Sequence, residues 1–310
     1  MKVSFITTVY NEESTIGNLL HSLLIQSKIP DEIIIVDGGS TDATASVISN
    51  FKFQISNKQI KFKFIIKRGN RAVGRNEAIR KASNKIILSS DSGCILDKDW
   101  VKNITEPFKN AKVDVVAGYY QGNPKNIFQK CIVPYVLVMP DKADKNNFLP
   151  STRSMAFKKN VWKEVGGFPQ EFSNNEDYVF AKKLKAINAN IIFEKNAIVN
   201  WSPRDNIIDA FIMFYRFAKG DAEAHIFRAK VILIFARYVI GIIFIISFLI
   251  FKSYIILNTL YLILLTYILW AITKNYRYIR DVRAIFFLPL IQFISDIAVI
   301  LGTSIGLLVK

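Results

Sequence analysis

The sequence predicts an α/β domain with a Rossmann-like, mostly parallel central sheet, followed by an all-α region that lies in a membrane. Two observations support this fold class. In the first part of the chain, short β-branched runs alternate with helical patterns, as in doubly wound parallel sheets. Toward the C-terminal end the composition becomes almost wholly apolar over three segments, and each reaches the roughly 20 residues that a bilayer core of about 30 Å requires.

The individual elements follow from hydrophobic periodicity and from turn residues. Strands are predicted at residues 3–9, 32–36, 61–66, 85–89 and 113–118. Helices are predicted at residues 14–26, 41–49, 72–82, 99–109, 158–165 and 176–186. Residues 121–153 contain four prolines and are predicted to be loop with a broken helix.

Composition narrows the class of protein. Hydrophobic residues make up 51% of the 310 residues, and the formal net charge is +16. Such a surplus suits nucleic acid or an anionic membrane face, and its position near the apolar segments favours the membrane, so no nucleic-acid partner is expected. Cys94 and Cys131 form neither a disulfide framework nor a zinc site, which indicates a reducing compartment. The N-terminus lacks a signal-peptide pattern, so the α/β domain is expected in the cytoplasm.

The change in composition predicts three parts: an α/β domain at 1–205, an amphipathic linker at 206–230 and a membrane domain at 231–310. Spans are predicted at 231–251, 254–273 and 284–309. Core helices of a soluble domain are the alternative, which three successive apolar segments argue against. The linker at 274–283 is rich in lysine and arginine and is therefore expected to face the cytoplasm. This makes a multi-pass protein with the α/β domain cytoplasmic and Lys310 outside.

The segment 207–227 mixes aromatic residues with Arg216, Lys219 and other polar residues. This pattern is typical of a helix in the membrane interface, and packing on the α/β domain is the alternative. Arg216 and His225 are candidates for contacts with an acceptor or a phosphate.

Three polar loops follow predicted strands, at residues 10–12, 37–39 and 91–93. Ligands of such sheets bind beyond the carboxyl ends of the strands, so these loops are expected to converge. Asp37 is placed to accept hydrogen bonds from a ribose or a base, and capping the next helix is its alternative role. Arg75 and Asn76 are predicted to open a helix whose N-terminus faces a diphosphate, with a solvated basic face as the alternative.

Two further acidic positions are candidates for chemistry. Asp91 follows the fourth strand and is placed to hold a divalent cation on phosphate oxygens. Glu176 and Asp177 begin a helix after a polar loop, where a carboxylate can act as a general base. The alternative for this pair is a helix N-terminal charge favoured by the dipole.

The order and spacing of these residues resemble the family 2 glycosyltransferases, which have the GT-A fold. The resemblance covers about residues 1–200, in the segments 7–13, 36–42, 74–78, 90–93 and 175–177. It implies Asp177, with Glu176, as the catalytic base, and Asp91 as the ligand of Mg²⁺ or Mn²⁺. It also implies a nucleotide-sugar site formed by Thr8, Tyr10, Asn11, Glu12, Asp37, Gly39, Arg75, Asn76, Asp91 and Ser92. The segment 215–222, which contains Arg216, resembles an arginine-containing segment near the membrane in some members.

Gly93 departs from the family pattern, because the second acid of Asp-x-Asp is expected at this position. The absence of this second acid indicates that Asp91 binds the metal together with phosphates and water, or that activity depends less on a metal. The resemblance implies inverting transfer from a UDP- or GDP-sugar to a membrane-associated acceptor, such as a polyprenyl-linked glycan, a polyprenyl phosphate or another lipid. The Gln-x-x-Arg-Trp motif of processive synthases is absent from the sequence. A catalytically impaired membrane scaffold is the alternative, and the oligomeric state stays open.

Overall fold

The structure is a computed structural model that describes residues 1–55, 59–145, 147–172 and 174–308. These residues divide into two compact units. The first comprises Met1–Asn123 and Val138–Ser202, and the second comprises Pro124–Leu137 and the chain from Pro203 onward. The predicted end of the third span at Val309, and Lys310, lie outside the described residues.

Regular structure covers most of both units. The strands are β1 (Val3–Val9), β2 (Glu32–Asp37), β3 (Lys61–Ile66), β4 (Ile86–Ser89), β5 (Cys94–Leu96), β6 (Val115–Gly122), β7 (Met155–Lys158) and β8 (Ile191–Trp201). The helices of the first unit are α1 (Ile16–Leu24), α2 (Thr44–Gln54), α3 (Arg71–Lys81), α4 (Trp100–Thr105), α6 (Lys159–Glu164) and α7 (Glu176–Ala186). The helices of the second unit are α5 (Ile127–Val136), α8 (Ile207–Glu223), α9 (Ala229–Phe251), α10 (Tyr254–Ile279) and α11 (Ala284–Leu308).

The strands form one mixed sheet in the order β3-β2-β1-β4-β7-β6-β8-β5. Strands β3, β2, β1 and β4 pair in parallel, as do β6 and β8. The pairs β4–β7, β6–β7 and β5–β8 are antiparallel. The predicted α/β class with a mostly parallel sheet is therefore confirmed. The register pairs Val9 with Asp37 and Asp37 with Ile66, so the carboxyl ends of β1, β2 and β3 meet at one edge.

Burial explains why the first strands are easy to predict. Helices cover the central strands, and every residue of β2 is buried, as the near-continuous apolar run requires. The core includes Ile6, Ile34, Ile87, Phe157, Phe168 and Phe180. Helix α3 approaches β1 closely, because a methyl group at Gly74 would lie 2.8 Å from the Thr8 side chain. Glycine at position 74 therefore sets the distance between α3 and the sheet.

Several elements differ from the sequence prediction. The strands β5, β7 and β8 are absent from the sequence prediction. Strands β5 and β7 have only three and four residues, and β8 contains Glu194, Lys195 and Asn196 on a partly exposed surface. Helix α5 lies where loop with a broken helix was predicted, and Pro134 falls inside it. Helix α3 begins at Arg71, so Arg75 and Asn76 lie in its second turn and do not open it, which corrects the predicted helix start.

In the second unit, α9, α10 and α11 are long and apolar enough to cross a bilayer, in agreement with the three predicted segments. Asp296 on α11 is fully buried and accepts hydrogen bonds from Arg237 on α9, Tyr267 on α10 (2.8 Å) and Gln292 (2.8 Å). Polar groups inside such helices need partners, and these three meet that need within the bundle.

Candidate active site

Asp37 ends β2 and organises the turn that follows it. Its Oδ1 accepts hydrogen bonds from the backbone nitrogens of Gly39 (2.9 Å) and Ser40 (2.8 Å) and from the Ser40 hydroxyl (2.8 Å). Gly39 has a φ of +98°, which favours glycine. Within the part of the chain that the structure describes, no donor reaches Oδ2. One oxygen of Asp37 therefore holds the turn, and the other is left for a ligand.

The loop after β1 is tied to this turn. The Asn11 backbone nitrogen donates to the Ser40 hydroxyl (2.9 Å), and the Asn11 side-chain oxygen accepts from the Thr41 backbone nitrogen (2.9 Å). Asn11 has a φ of +53°, a conformation that asparagine tolerates. The neighbouring Tyr10 is 61% exposed. The structure thus brings Tyr10, Asn11 and Glu12 to the same edge as Asp37.

Arg75 joins two carboxylates that are distant in sequence. Its guanidinium donates to Asp91 Oδ1 at 2.9 Å and to Glu176 through its other terminal nitrogen. The Arg75 side chain is 4% exposed, and it lies 5.6 Å from the centroid of the Phe168 ring. Burial disfavours a charge, but Glu176, Asp91 and Asp177 raise the pKa of Arg75 above its usual value. Arg75 therefore orients both carboxylates with a permanent positive charge.

Asp91 follows the end of β4 and keeps one oxygen accessible. Its side chain is 36% exposed, and none of the described residues donates a hydrogen bond to Oδ2. Burial alone would raise the pKa of Asp91, but the charges of Arg75, Arg153 and Arg71 hold it below the usual range. Asp91 is thus an anion aimed at the edge, and the adjacent Ser92 is buried.

Metal-binding residues are sparse at this edge. In the described residues, no group of three or more His, Cys, Asp or Glu side chains is placed to hold a metal ion. Gly93 lies two positions after Asp91, and a Cβ at Gly93 would meet no heavy atom within 4 Å. The glycine is therefore not required by packing, and the position has room for a side chain.

Asp177 is held by the segment 151–152 and begins α7 beside Glu176. Its Oδ2 accepts from the Ser151 hydroxyl at 3.0 Å and from the Thr152 backbone nitrogen at 3.4 Å. Glu176 is 3% exposed and is bound to Arg75, whereas Asp177 is partly exposed. The two acids therefore differ: Glu176 orients Arg75, and Asp177 is the one that a substrate can reach.

The surroundings of Asn76 differ from the diphosphate-facing position that the sequence predicted. Its side-chain oxygen accepts from the Trp162 indole (3.0 Å) and the Phe168 backbone nitrogen (2.9 Å), and its nitrogen donates to the Phe168 carbonyl (2.8 Å). Asn76 is buried, and these bonds fix the loop before α7. These hydrogen bonds give Asn76 a structural role, and its contact with a nucleotide stays a prediction.

Arg153 is a candidate site residue that the sequence did not point to. Its guanidinium carbon lies 5.5 Å from the centroid of the Tyr120 ring and 5.6 Å from that of the Trp201 ring. Ser90, which precedes Asp91, donates to the Arg153 carbonyl at 2.8 Å. No sequence signal marks Arg153, because Tyr120, Trp201 and Ser90 come from three separate parts of the chain.

The other predicted contacts lie on the second unit. Arg216 is exposed on α8, and His225 follows that helix with a φ of +52°. Their roles toward an acceptor or phosphate stay predictions.

The mixed sheet, with Asp37, Asp91 and Asp177 near its carboxyl edge, defines a Rossmann-like α/β domain with an acidic ligand site. Residues 4–162 match Glycosyl transferase family 2, and the chain belongs to that family. The protein is therefore a glycosyltransferase, as the resemblance implied.

Related sequences are consistent with this assignment. The chain is 26% identical over 226 residues to the O-antigen chain rhamnosyltransferase RfbN of Salmonella typhimurium, covering 66% of this chain and 69% of the relative. It is 28% identical over 232 residues to the poly-beta-1,6-N-acetyl-D-glucosamine synthase of Staphylococcus epidermidis, covering 71% of this chain and 55% of the relative. The chain thus spans little more than half of the second relative.

Solved structures share the fold. The mannosyltransferase PcManGT from Pyrobaculum calidifontis, in complex with GDP-Man and Mn²⁺, aligns with a TM-score of 0.55 at 20% identity, over 71% of this chain and 62% of that one. Residues 1–349 of S. aureus TarS, in complex with UDP, align with a TM-score of 0.50 at 23% identity, over 70% and 64%. At these identities the similarity establishes the GT-A fold alone.

Proposed function

We propose that the chain transfers a sugar from a UDP- or GDP-sugar to a membrane-associated acceptor, with inversion at the anomeric carbon. The observation that carries the proposal is the set of contacts through which Arg75 and the segment 151–152 hold Asp91 and Asp177. The first unit acts as the catalytic domain, and the apolar helices of the second unit anchor it in the membrane.

The donor is proposed to bind along the carboxyl edge of the sheet. The free Oδ2 of Asp37 accepts hydrogen bonds from the ribose or base, and the glycines after it let the ligand approach the backbone. Tyr10, Asn11 and Glu12 lie at the same edge, and Ser92 stands beside Asp91. Relatives with the same fold are described with UDP or with GDP-Man, which supports a nucleotide-sugar donor.

The residues present fit a divalent cation held mainly by the donor. Mg²⁺ is commonly bound by one or two carboxylates together with substrate phosphates and water. Asp91, with an accessible oxygen and a lowered pKa, is the residue that would hold Mg²⁺ or Mn²⁺. When bound, the cation neutralises charge on the leaving diphosphate.

In the proposed reaction, the acceptor hydroxyl attacks the anomeric carbon from the face opposite the diphosphate. The bond to the acceptor oxygen forms as the bond to the diphosphate oxygen breaks. Asp177 takes the hydroxyl proton, and its contacts with Ser151 and Thr152 hold it in place. For a phosphate acceptor no proton need be removed, and Asp177 would then act in positioning.

A polyprenyl-linked glycan, a polyprenyl phosphate or another lipid is the proposed acceptor class. The three apolar helices support it, because they bring the domain to a bilayer. Placement of the catalytic domain in the cytoplasm is supported by the basic residues between α10 and α11. An O-antigen transferase among the relatives is consistent with a glycan acceptor at the membrane.

Nucleoside-diphosphate release tests the proposal directly. The purified full chain in detergent is incubated with a panel of UDP- and GDP-sugars, with Mn²⁺ or with EDTA, beside Asp91→Ala. Release from one donor, lost in the variant, is expected. Binding without release would indicate that the acceptor is required. No binding of any donor would favour the alternative of an impaired membrane scaffold, which Gly93 supports.

A further inference from the structure

A tight turn places Arg153 between the two acids of the proposed site. Ser154 donates through its backbone nitrogen to the Ser151 carbonyl at 3.0 Å, so Thr152 and Arg153 are the central residues of a turn. On one side of this turn Ser151 and Thr152 hold Asp177. On the other side Ser90, the neighbour of Asp91, holds the Arg153 carbonyl.

Among the described residues, the Arg153 side chain has aromatic neighbours and no anionic partner. It is half-buried between the Tyr120 and Trp201 rings. No ion pair or side-chain hydrogen bond joins its guanidinium to any part of the chain that the structure describes. Arginine between aromatic rings is held by cation–π attraction, which leaves its N–H groups for a ligand. An unpaired guanidinium with five donors is suited to phosphate oxygens.

Arg153 also stands beside the position where the family's second metal-binding acid is missing. Trp201, on which it stacks, pairs across the sheet with Cys94, the residue after Gly93. The charge of Arg153 helps to lower the pKa of Asp91, so the two groups are within electrostatic reach. Position 93 thus lacks the carboxylate of the family pattern, and the unpaired cation Arg153 lies near it.

We propose that Arg153 binds the phosphate oxygens of the donor diphosphate and supplies fixed positive charge that lowers the dependence on a metal ion. This deepens the proposed function and rests on it. The leaving diphosphate carries negative charge that a fixed cation stabilises. With one carboxylate fewer, the site holds a metal less strongly, and Arg153 compensates for it.

Binding of the nucleoside diphosphate alone tests the role without turnover. Isothermal titration of UDP and GDP into the full chain is carried out with Mn²⁺ and with EDTA, for wild type, Arg153→Gln and Arg153→Lys. Arg80→Gln is the matched control, because Arg80 pairs with Glu77 on the exposed side of α3. Thermal unfolding verifies that each variant is folded.

We expect Arg153→Gln to weaken diphosphate binding at least tenfold in EDTA and clearly less in saturating Mn²⁺, with the control unchanged. Arg153→Lys should recover part of the affinity, and binding of the nucleoside without phosphates should not change. Equal affinity of wild type and Arg153→Gln in EDTA would overturn the proposal. A raised KM for a lipid-phosphate acceptor with unchanged diphosphate binding would assign Arg153 to the acceptor instead. If wild type binds no nucleoside diphosphate, the proposed function itself fails.

Helices α8 and α11 share a separate contact that bears on how the chain meets the membrane. A methyl group at Gly302 would lie 3.0 Å from the Ala218 methyl, and one at Gly306 would lie 2.8 Å from the Ala222 methyl. From the first contact to the second, the chain advances by four residues on α11 and by four residues on α8. The two helices therefore run parallel in close contact. Small residues are what allow such an approach.

The contact between α8 and α11 argues against α11 as a membrane-spanning helix. Helix α8 carries five charged residues alongside α11, and a crossing α11 would draw them into hydrocarbon: Asp209, Arg216, Lys219, Asp221 and Glu223. A charged side chain at a bilayer centre is costly unless it has a partner there. Lys219 pairs with Glu223 at 3.5 Å and Asp221 with Arg228 at 2.6 Å, but Asp209 and Arg216 are exposed.

We infer that α8 and α11 lie together along the membrane face that carries residues 274–283, and that the α9–α10 hairpin is the part that enters the bilayer. The exposed apolar residues of α11 then contact lipid from that face, among them Phe286, Phe293 and Leu301. The distal ends of α9 and α10 carry no charged residue between Tyr238 and Phe251 or between Tyr254 and Thr273.

Cysteine accessibility tests this arrangement in sealed membrane vesicles of both orientations. Both native cysteines are buried, so the parent chain is the unlabelled control. A membrane-impermeant maleimide is expected to label Leu308→Cys from the same side as Asp281→Cys. Ser253→Cys, at the tip of the hairpin, should not be labelled from that side. Labelling of Leu308→Cys from the opposite side to Asp281→Cys would establish α11 as a span and overturn the inference.

Discussion

The Arg75 guanidinium lies 2.9 Å from the Asp91 carboxylate and binds Glu176 with its other terminal nitrogen. One buried cation thus links the residue proposed to meet the diphosphate with the start of the helix that presents the proposed base. Loss of this cation would leave Glu176 buried without a counter-charge.

Replacement of Arg75 by Ala is expected to destabilise the protein by about 3–5 kcal/mol, the cost of breaking a buried ion pair by removing one partner. Transfer should fall to background, because Asp91 and the start of α7 lose their common anchor. Thermal unfolding and donor turnover measure the two effects. Arg80→Ala, which breaks an exposed pair on the same helix, should cost less than about 1 kcal/mol and leave turnover intact. Equal effects of both variants would contradict the linking role of Arg75.

Glu176 and Asp177 are adjacent in sequence but have different surroundings, so replacing each by its amide tests their roles separately. Asp177→Asn should lower kcat by about 10²–10⁴-fold with little change in donor KM, because a general base is lost while the size of the side chain is kept. Glu176→Gln should instead lower stability, because Glu176 is the buried partner of Arg75. Steady-state kinetics and unfolding separate the two. Nearly unchanged turnover in Asp177→Asn would rule out Asp177 as the base for a hydroxyl acceptor.

Gly93→Asp is expected to strengthen Mn²⁺ binding in the presence of the nucleoside diphosphate, by roughly tenfold, since a second carboxylate raises affinity for a hard cation. The open space at Gly93 should accept the side chain without loss of stability. Gly93→Ala is the control for volume without charge. Mn²⁺ titration followed by paramagnetic resonance reports the affinity. Unchanged Mn²⁺ affinity would show that position 93 does not face the metal.

Glu32 contributes stability that depends on pH. Burial would raise its pKa, but hydrogen bonds from Lys63, Ser4 and Ser83 lower it from 4.5 to about 2. Because the folded-state pKa is the lower one, the contribution is present above about pH 4.5 and is lost as the pH falls toward 2. Its size is on the order of 3 kcal/mol. Urea unfolding should therefore show Glu32→Gln less stable than wild type at pH 7, with the gap closing as the pH falls. A gap that does not change between pH 7 and pH 3 would contradict this.

Gly302→Leu should separate α8 from α11 and lower the unfolding temperature of the detergent-solubilised chain by several degrees, because no space exists for a side chain there. Gly241→Leu is matched to it, since Gly241 on α9 has nothing within 4 Å of a Cβ. Unfolding should be unaffected in Gly241→Leu. The same shift in both variants would mean that the α8–α11 contact does not limit stability.

The sequence by itself determined the α/β class, the first four strands, α7 and the three apolar segments. These elements are visible because each has a local cause: a strand buried on both faces such as β2 has a nearly continuous apolar run, and a helix that crosses a bilayer needs a long apolar segment. The carboxyl-end loops with Asn11, Asp37 and Asp91 were predictable for a related reason, because the topology of a parallel sheet brings such loops together.

Tertiary structure alone decided what the polar side chains at this edge do. Asn76 proved structural because Trp162 and Phe168, distant in sequence, supply its hydrogen-bond partners. Arg153 became a candidate site residue because Tyr120 and Trp201 enclose it. Likewise, the contacts of Gly302 and Gly306 with α8 set α11 apart from α9 and α10. The free energy of a polar or charged group depends on which groups surround it in space, and this information is not present in local sequence patterns.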